Sequence, residues 1–313
     1  MSAALVRNWL DAGELDLPLP GHGHTAQRWQ RLTELAQTDI TAGRLAEAHA
    51  DAVAILAELH GPAPSPRQWW GVWAAESGEA VLTATRVGDE ALLDGTKVWC
   101  SGAGLCTHAL VTARVSSGER GLFAVDLGGH GVRPLPSRWR HAGMTESDTR
   151  SVQFTATPAV AVGAPGEYLS RPGFWHGAVG VAACWLGGAR AVAAALYERV
   201  ESGRADAHTT AHLGAVDAAL AGAAALVNAV AGEFDADRLN HSGRAELLAR
   251  RARATVETAV DETLTRTARA LGPSPLCLDP VHSQRVADLS IYVRQSHAER
   301  DLERLGLLAA GAS

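Results

Sequence analysis

Apolar residues recur at helical spacing near the start of the chain. Trp29, Leu32, Leu35 and Ala36 form one stripe, and Leu45, Ala48, Ala52, Ile55, Leu56 and Leu59 form another. Both predict amphipathic helices facing a core. Gly61-Pro62-Ala63-Pro64-Ser65-Pro66 ends that pattern, because proline fixes φ and carries no N–H. From about 67 to 163 the texture changes to short runs of Val, Leu, Thr and Trp between Gly-Asp, Asp-Gly and Ser-Gly turns, which predicts strands at 68–75, 80–87, 91–100, 109–115, 121–126 and 151–155. After Pro172 long helical patterns return at 175–201, 209–234, 243–270 and 281–294, broken at Gly203, Asn240 and Gly272-Pro273.

The order of these patterns predicts an α+β protein: an N-terminal helical domain over 1–63, a middle β-domain (a small barrel or sandwich) over 64–165, and a C-terminal four-helix bundle over 166–313. A doubly wound nucleotide-binding fold would alternate strands with helices, and this chain does not.

Composition narrows the function classes. Apolar residues make up 47% of the 313, aromatics only 5%, and the formal charge is −6. An Arg-rich stretch at Arg244 to Arg253 is interleaved with Glu246, so no basic face for nucleic acid is expected. The four cysteines at 100, 106, 184 and 277 lack the spacing of a zinc site or disulfide framework, which points to a reducing, cytoplasmic setting. Met1 to Asp11 does not read as a signal peptide. The apolar run Ala218 to Ala231 reads as too short and too alanine-rich to span a bilayer, so no membrane insertion is expected.

The stretch Leu92 to Gly102 carries the strongest chemical signal. Alternating residues of a strand share a face, so Trp99 is placed to cover a flat heterocycle while Ser101 bonds its polar edge. Rival signals are weaker. Ser101-Gly102-Ala103-Gly104-Leu105-Cys106 mimics a dinucleotide loop, with Asp126 downstream, but a strand follows where that motif needs a helix. His208 and His212 have metal-ligand spacing without a glutamate base between them, and Gly21-His22-Gly23-His24 reads as a loop.

Several ordered motifs together resemble the acyl-CoA dehydrogenase family over about residues 25 to 310. Trp73-Ala74-Ala75-Glu76-Ser77-Gly78 resembles a degraded Thr-Glu-Pro signature, and Asp94 to Ser101 resembles a Gly-x-Lys-x-Trp-Ile-Thr/Ser motif. Gly143 to Phe154 looks like the segment that closes the β-domain; Gly173-Phe174, Leu186-Gly187-Gly188-Ala189 and Arg269-Ala270-Leu271-Gly272 add to the match. The resemblance implies FAD as cofactor, held by backbone at Ala74 and Ala75, by Trp99 and Ser101, and by a glycine turn at Arg269, Leu271 and Gly272 that touches the pyrophosphate in a neighbouring subunit. It also implies a homodimer or homotetramer, an acyl thioester substrate on CoA or an acyl carrier protein, and an electron acceptor that it does not name.

Three departures qualify those expectations. Ala75 replaces a threonine, removing one hydroxyl contact worth about 1 kcal/mol. The helical region before the β-domain is about half the family's usual length, so the wall around the acyl chain is incomplete or is completed by another subunit. The family's base, a glutamate after the last long helix, falls at Ser296 or His297; the alternative position on the first bundle helix falls at His176-Gly177. His297 is the first substitute and His176 the second, since imidazole serves as a base near neutral pH. Three readings follow: an α,β-dehydrogenase of an acyl thioester, a flavin-dependent monooxygenase on the same fold, and a non-catalytic member that acts as a binding or assembly partner.

Overall fold

A computed structural model describes residues 1–76, 78, 81–87 and 90–311. Helices α1 (Ser2–Asp11), α2 (Thr25–Thr38) and α3 (Ile40–Glu58) come first. Seven strands follow: β1 (Trp70–Trp73), β2 (Leu82–Val87), β3 (Glu90–Cys100), β4 (His108–Arg114), β5 (Arg120–Asp126), β6 (Val132–Pro134) and β7 (Arg150–Ala161). The rest is helical: α4 (Glu167–Ser170), α5 (Gly173–Glu201), α6 (Ala207–Ala236), α7 (Ala245–Leu271), α8 (Pro273–Leu278), α9 (Pro280–Tyr292) and α10 (Glu299–Gly311). The protein is thus mixed helix and sheet with a helical C-terminal region. Strand β6 and helices α4, α8 and α10 are additions to the elements expected from the sequence. Ser77 of the signature-like segment, Ala80 at the start of an expected strand and the Gly88-Asp89 turn lie outside the described residues.

By compactness the chain divides into two units. One holds residues 1–17, 45–140 and 145–174; the other holds 18–44, 141–144 and 175–313. The N-terminal helices are divided between them: α1 and residues 45–58 of α3 fall in the first unit, α2 and residues 40–44 in the second.

In the first unit the strand pairings run β4-β2-β3-β7-β5 and return to β4, a closed circuit, with β1 parallel to β4 and β6 antiparallel to β7. Alternation along each strand builds two cores from one sheet. Trp73, Val111, Ala113, Phe123 and Phe154 pack in one cluster, while Trp70, Leu110 and Leu122 face the other way, against Ile55, Leu56 and Leu59 of α3. Loop Ser101–Cys106 leads into strand β4, so it opens no helix of a dinucleotide site.

The second unit is built on α5, whose middle is buried on all sides: Ala182, Ala183, Cys184, Trp185 and Ala189 are fully buried. Gly187 permits this. A Cβ there would stand 2.1 Å from the Thr33 carbonyl oxygen of α2, and the Thr33 hydroxyl donates to the Ala183 carbonyl at 3.0 Å. Helices α5 and α6 are each long and apolar enough to cross a membrane by length and composition alone. That window is 78% buried within the protein in α5 and 28% buried in α6.

Candidate functional site

The β-unit brings together the two segments that carry the cofactor expectation. Segment Ala74–Ala75 leaves the end of β1, and Trp99 to Ser101 leaves the end of β3. They are joined directly: the Trp73 indole N–H donates to the Ser101 carbonyl at 2.9 Å. The pleat expected to align Trp99 with Ser101 is absent. The β3–β7 register shifts between Lys97 and Cys100, Trp99 takes a left-handed φ of 58°, and the strand ends at Cys100. A bulge re-aims a side chain out of the alternation. Here it leaves the Trp99 ring 62% exposed.

The turn after Trp99 carries one end of a row of hydroxyls. Ser101 Oγ is 3.0 Å from Thr149 Oγ1, which is 2.8 Å from Ser147 Oγ. The loop that carries Ser101 is pinned to the same segment, since Gly102 N donates to the Ser147 carbonyl, Ala103 N to the Asp148 carbonyl and Gly104 N to the Asp148 carboxylate. Asp148, itself at positive φ, also accepts from Arg150 Nε at 2.5 Å. Thr149 and Asp148 were not singled out in the sequence; their signal would have been polar residues clustered just before a strand.

On the other side, Glu76 is anchored. Its carboxylate accepts from Lys97 Nζ at 2.8 Å and from Thr112 Oγ1 at 3.1 Å, and Arg120 stands 4.0 Å from its second oxygen. Burial works to raise the Glu76 carboxyl, but Lys97, Thr112 and Arg120 outweigh it and hold it below its ordinary value. The small side chains of Ala74 and Ala75 precede this anchor, and Ala75 is exposed.

The helical unit separates the two candidate bases. His176 on α5 is 2% exposed, with its ring stacked at a tilt on Phe234 at 4.4 Å. The His297 side chain is 68% exposed, and its Nδ1 lies 3.8 Å from Asp301 Oδ1. A carboxylate does approach the Ser296 position, from α7: Ser296 Oγ donates to Glu257 at 2.6 Å. Arg294 also faces Glu257, and the cavity among Arg253, Glu257, Ser296 and Asp301 measures about 10 Å³, room for about one water. That is a closed polar cluster with no space for a thioester. Arg269 is exposed in the last turn of α7, and Gly272, at φ 69°, turns the chain into α8 beside an open cavity of about 230 Å³ lined by Leu271, Arg199, Arg204 and Asp279. His208 and His212 lie on α6, and no cluster of three or more metal-ligating side chains exists among the described residues.

No protein-family model matches this sequence, and no curated protein matches it. The fold, however, is shared with solved structures. FMN-bound TdsC from Paenibacillus sp. A11-2 superposes with a TM-score of 0.78 at 18% identity, over 100% of this chain and 96% of that one. A nitrososynthase from Micromonospora carbonacea var. africana gives 0.78 at 19% identity, over 96% and 88%. Methanesulfinate monooxygenase MsuC from Pseudomonas fluorescens gives 0.74 at 19% identity, over 92% and 84%. At these identities the likeness establishes the fold and leaves the chemistry to be argued from the site.

Proposed function

We propose that this protein is a flavin-dependent oxidoreductase of the monooxygenase type. The observation that carries the reading is the pairing of a cradle with a missing base. The turn that carries Ser101 is bonded to the Trp73 indole just before Ala74–Ala75, Ser101 meets the Thr149 hydroxyl, and Trp99 stands exposed two residues earlier, whereas neither position for a dehydrogenase glutamate carries a carboxylate. The fold supports it further, since similar structures include proteins described as a dibenzothiophene monooxygenase, a methanesulfinate monooxygenase and a nitrososynthase.

The cradle suits a flavin on physical grounds. An exposed indole offers a flat apolar face, small residues beside it allow close approach, and hydroxyl and backbone groups can tune a ring's electronics. When bound, a flavin supplies the electron-pair chemistry; Trp99 covers the ring, Ser101 holds a polar edge, and Ala74 and Ala75 present backbone. Arg269, Leu271 and Gly272 remain the proposed contacts to a cofactor phosphate in a neighbouring copy. FAD, implied by the resemblance, and the FMN of TdsC share the ring system and its phosphate, and the proposal concerns that shared half. His297 is the proposed proton carrier, because its side chain is exposed and imidazole is the side chain suited to acid–base work near neutral pH. Buried His176 is proposed as a packing residue.

Association into a homo-oligomer belongs to the same proposal. Exposed Ala211, Gly214, Ala218, Gly222, Ala225 and Gly232 line α6, and a Cβ added at Gly214, Gly222 or Gly232 would meet nothing within 4 Å. Nothing inside the chain requires small residues there; close approach of a second copy would.

An α,β-dehydrogenase of an acyl thioester is the second reading, favoured by the Asp94 to Ser101 motif. Spectroscopy of the purified protein with added FMN or FAD separates the readings. Bleaching of bound flavin by acyl thioesters without oxygen supports the dehydrogenase. Turnover only with an external supply of reduced flavin supports the monooxygenase. Failure to take up either flavin overturns both and leaves the binding partner.

A further inference from the structure

Lys97 is the only lysine in the chain; every other basic residue among 28 is arginine. It is also buried, at 4% exposure, where lysine is rare unless paired. Its ammonium has three protons and three acceptors: Glu76 Oε1 at 2.8 Å, the Thr112 carbonyl at 2.9 Å and Thr112 Oγ1 at 2.8 Å. A compact point charge can satisfy acceptors clustered around one spot. Lysine thus stands where three acceptors converge on one nitrogen, a geometry that a planar guanidinium matches less well.

The location gives this a purpose. Residues 108–111 of β4 pair with β1, whereas Arg114 pairs with Thr83 of β2, so Thr112 sits where the β4 edge changes partner. Segment 74–76 leaves β1 at that changeover, beyond the last ladder pair Trp73–Val111. Lys97 bridges the gap from β3, holding Glu76 by its side chain and β4 by its backbone. It also precedes the bulge that presents Trp99, and the Cys100 thiol lies 3.4 Å from the Lys97 carbonyl.

We propose that Lys97, through Glu76, is a positioning residue for the cofactor cradle, fixing the Ala74–Ala75 backbone relative to Trp99. The proposal rests on the flavin reading. A merely structural ion pair would act on stability alone, and replacing both partners with apolar residues would then be nearly neutral. The distinguishing variants are therefore the double exchange K97M/E76L, which removes the tether without stranding a charge, and K97R, which keeps the charge and loses the three-point geometry. FMN affinity of the full chain is read by fluorescence quenching, beside the thermal midpoint without flavin. The expected result is a double variant with near wild-type melting and FMN affinity weakened about tenfold or more, with K97R also weakened. Wild-type affinity in a double variant that melts normally overturns the positioning role while leaving the flavin reading intact. Absence of FMN and FAD binding by the wild-type chain overturns the flavin reading, and the positioning role with it.

Discussion

The indole of Trp73 and the carbonyl of Ser101 share a hydrogen bond of 2.9 Å between residues 28 positions apart. It ties the end of β1 to the turn after β3, the two places where the cradle leaves regular structure. Trp73→Phe keeps an aromatic ring in the core but removes the donor and part of the buried indole volume. Stability should fall by about 2–3 kcal/mol in denaturant titration, and FMN binding should weaken because Ser101 loses its register with the β1 end.

Chemical labelling gives a direct view of the lone lysine. The folded chain has two amines, the N-terminus and Lys97, and only the first is exposed. An amine-acylating reagent should add one group to the native protein and two to the denatured one, as read by intact mass. Two additions under native conditions would show that the Lys97–Glu76 contact opens readily.

The proposed proton carrier has its own test. His297→Ala should lower turnover about a hundredfold while FMN affinity stays at the wild-type value, the usual scale for loss of a general acid or base. Unchanged turnover removes His297 from the reaction.

Helix α10 is held by ion pairs, with no buried side chain of its own. Arg250 bonds both Glu246 and Asp301 at 2.9 Å and lies over the Trp175 ring, while Arg304 reaches Glu246. Arg250→Ala should cost about 2 kcal/mol. Hydrogen exchange should show faster exchange across 299–311 before any change in the strands.

Acid should weaken the fold in two stages. Burial holds His108 and His282 below 6.5, with Asp126 and Asp279 opposing it, so each binds a proton more readily in the unfolded chain. Stability therefore declines as pH falls through and below 6.5. Glu76 and Glu246 lie below 4.5, the latter through Arg304 and Arg250 despite burial, so their contribution is present above that value and is lost as pH falls through the depressed ones. Denaturant midpoints between about pH 8 and about pH 3 should show both declines. Glu76→Gln should flatten the second and leave the first.

Most elements were legible because their periodicity was strong: the stripe from Trp29 to Ala36 became α2, and the Val- and Thr-rich runs became β2 to β5. Tertiary choices were not. Alternation predicted a shared face for Trp99 and Ser101, but a bulge depends on the partner strand, and nothing local to Val98-Trp99-Cys100 announces it. Helix α10 escaped because its apolar positions face no buried core. The burial of His176 and exposure of His297 were equally invisible, since a single histidine carries no pattern that fixes its burial. Lys97 was visible in a different way. Its solitude among arginines is written in the sequence, but only the meeting of three strands explains it.

The strand circuit is not uniformly strong. β2 and β3 pair over six positions and β4 and β5 over seven, whereas β2 meets β4 only at Thr83–Arg114, and β5 meets β7 at two positions. The closed sheet is thus two firm pieces, β2-β3-β7 and β4-β5, joined along thin seams at β2–β4 and β5–β7, and beside the first seam the Lys97 side chain reaches from β3 to β4. Breathing motions should start there, so a modest rise in temperature would part these seams before either piece frays.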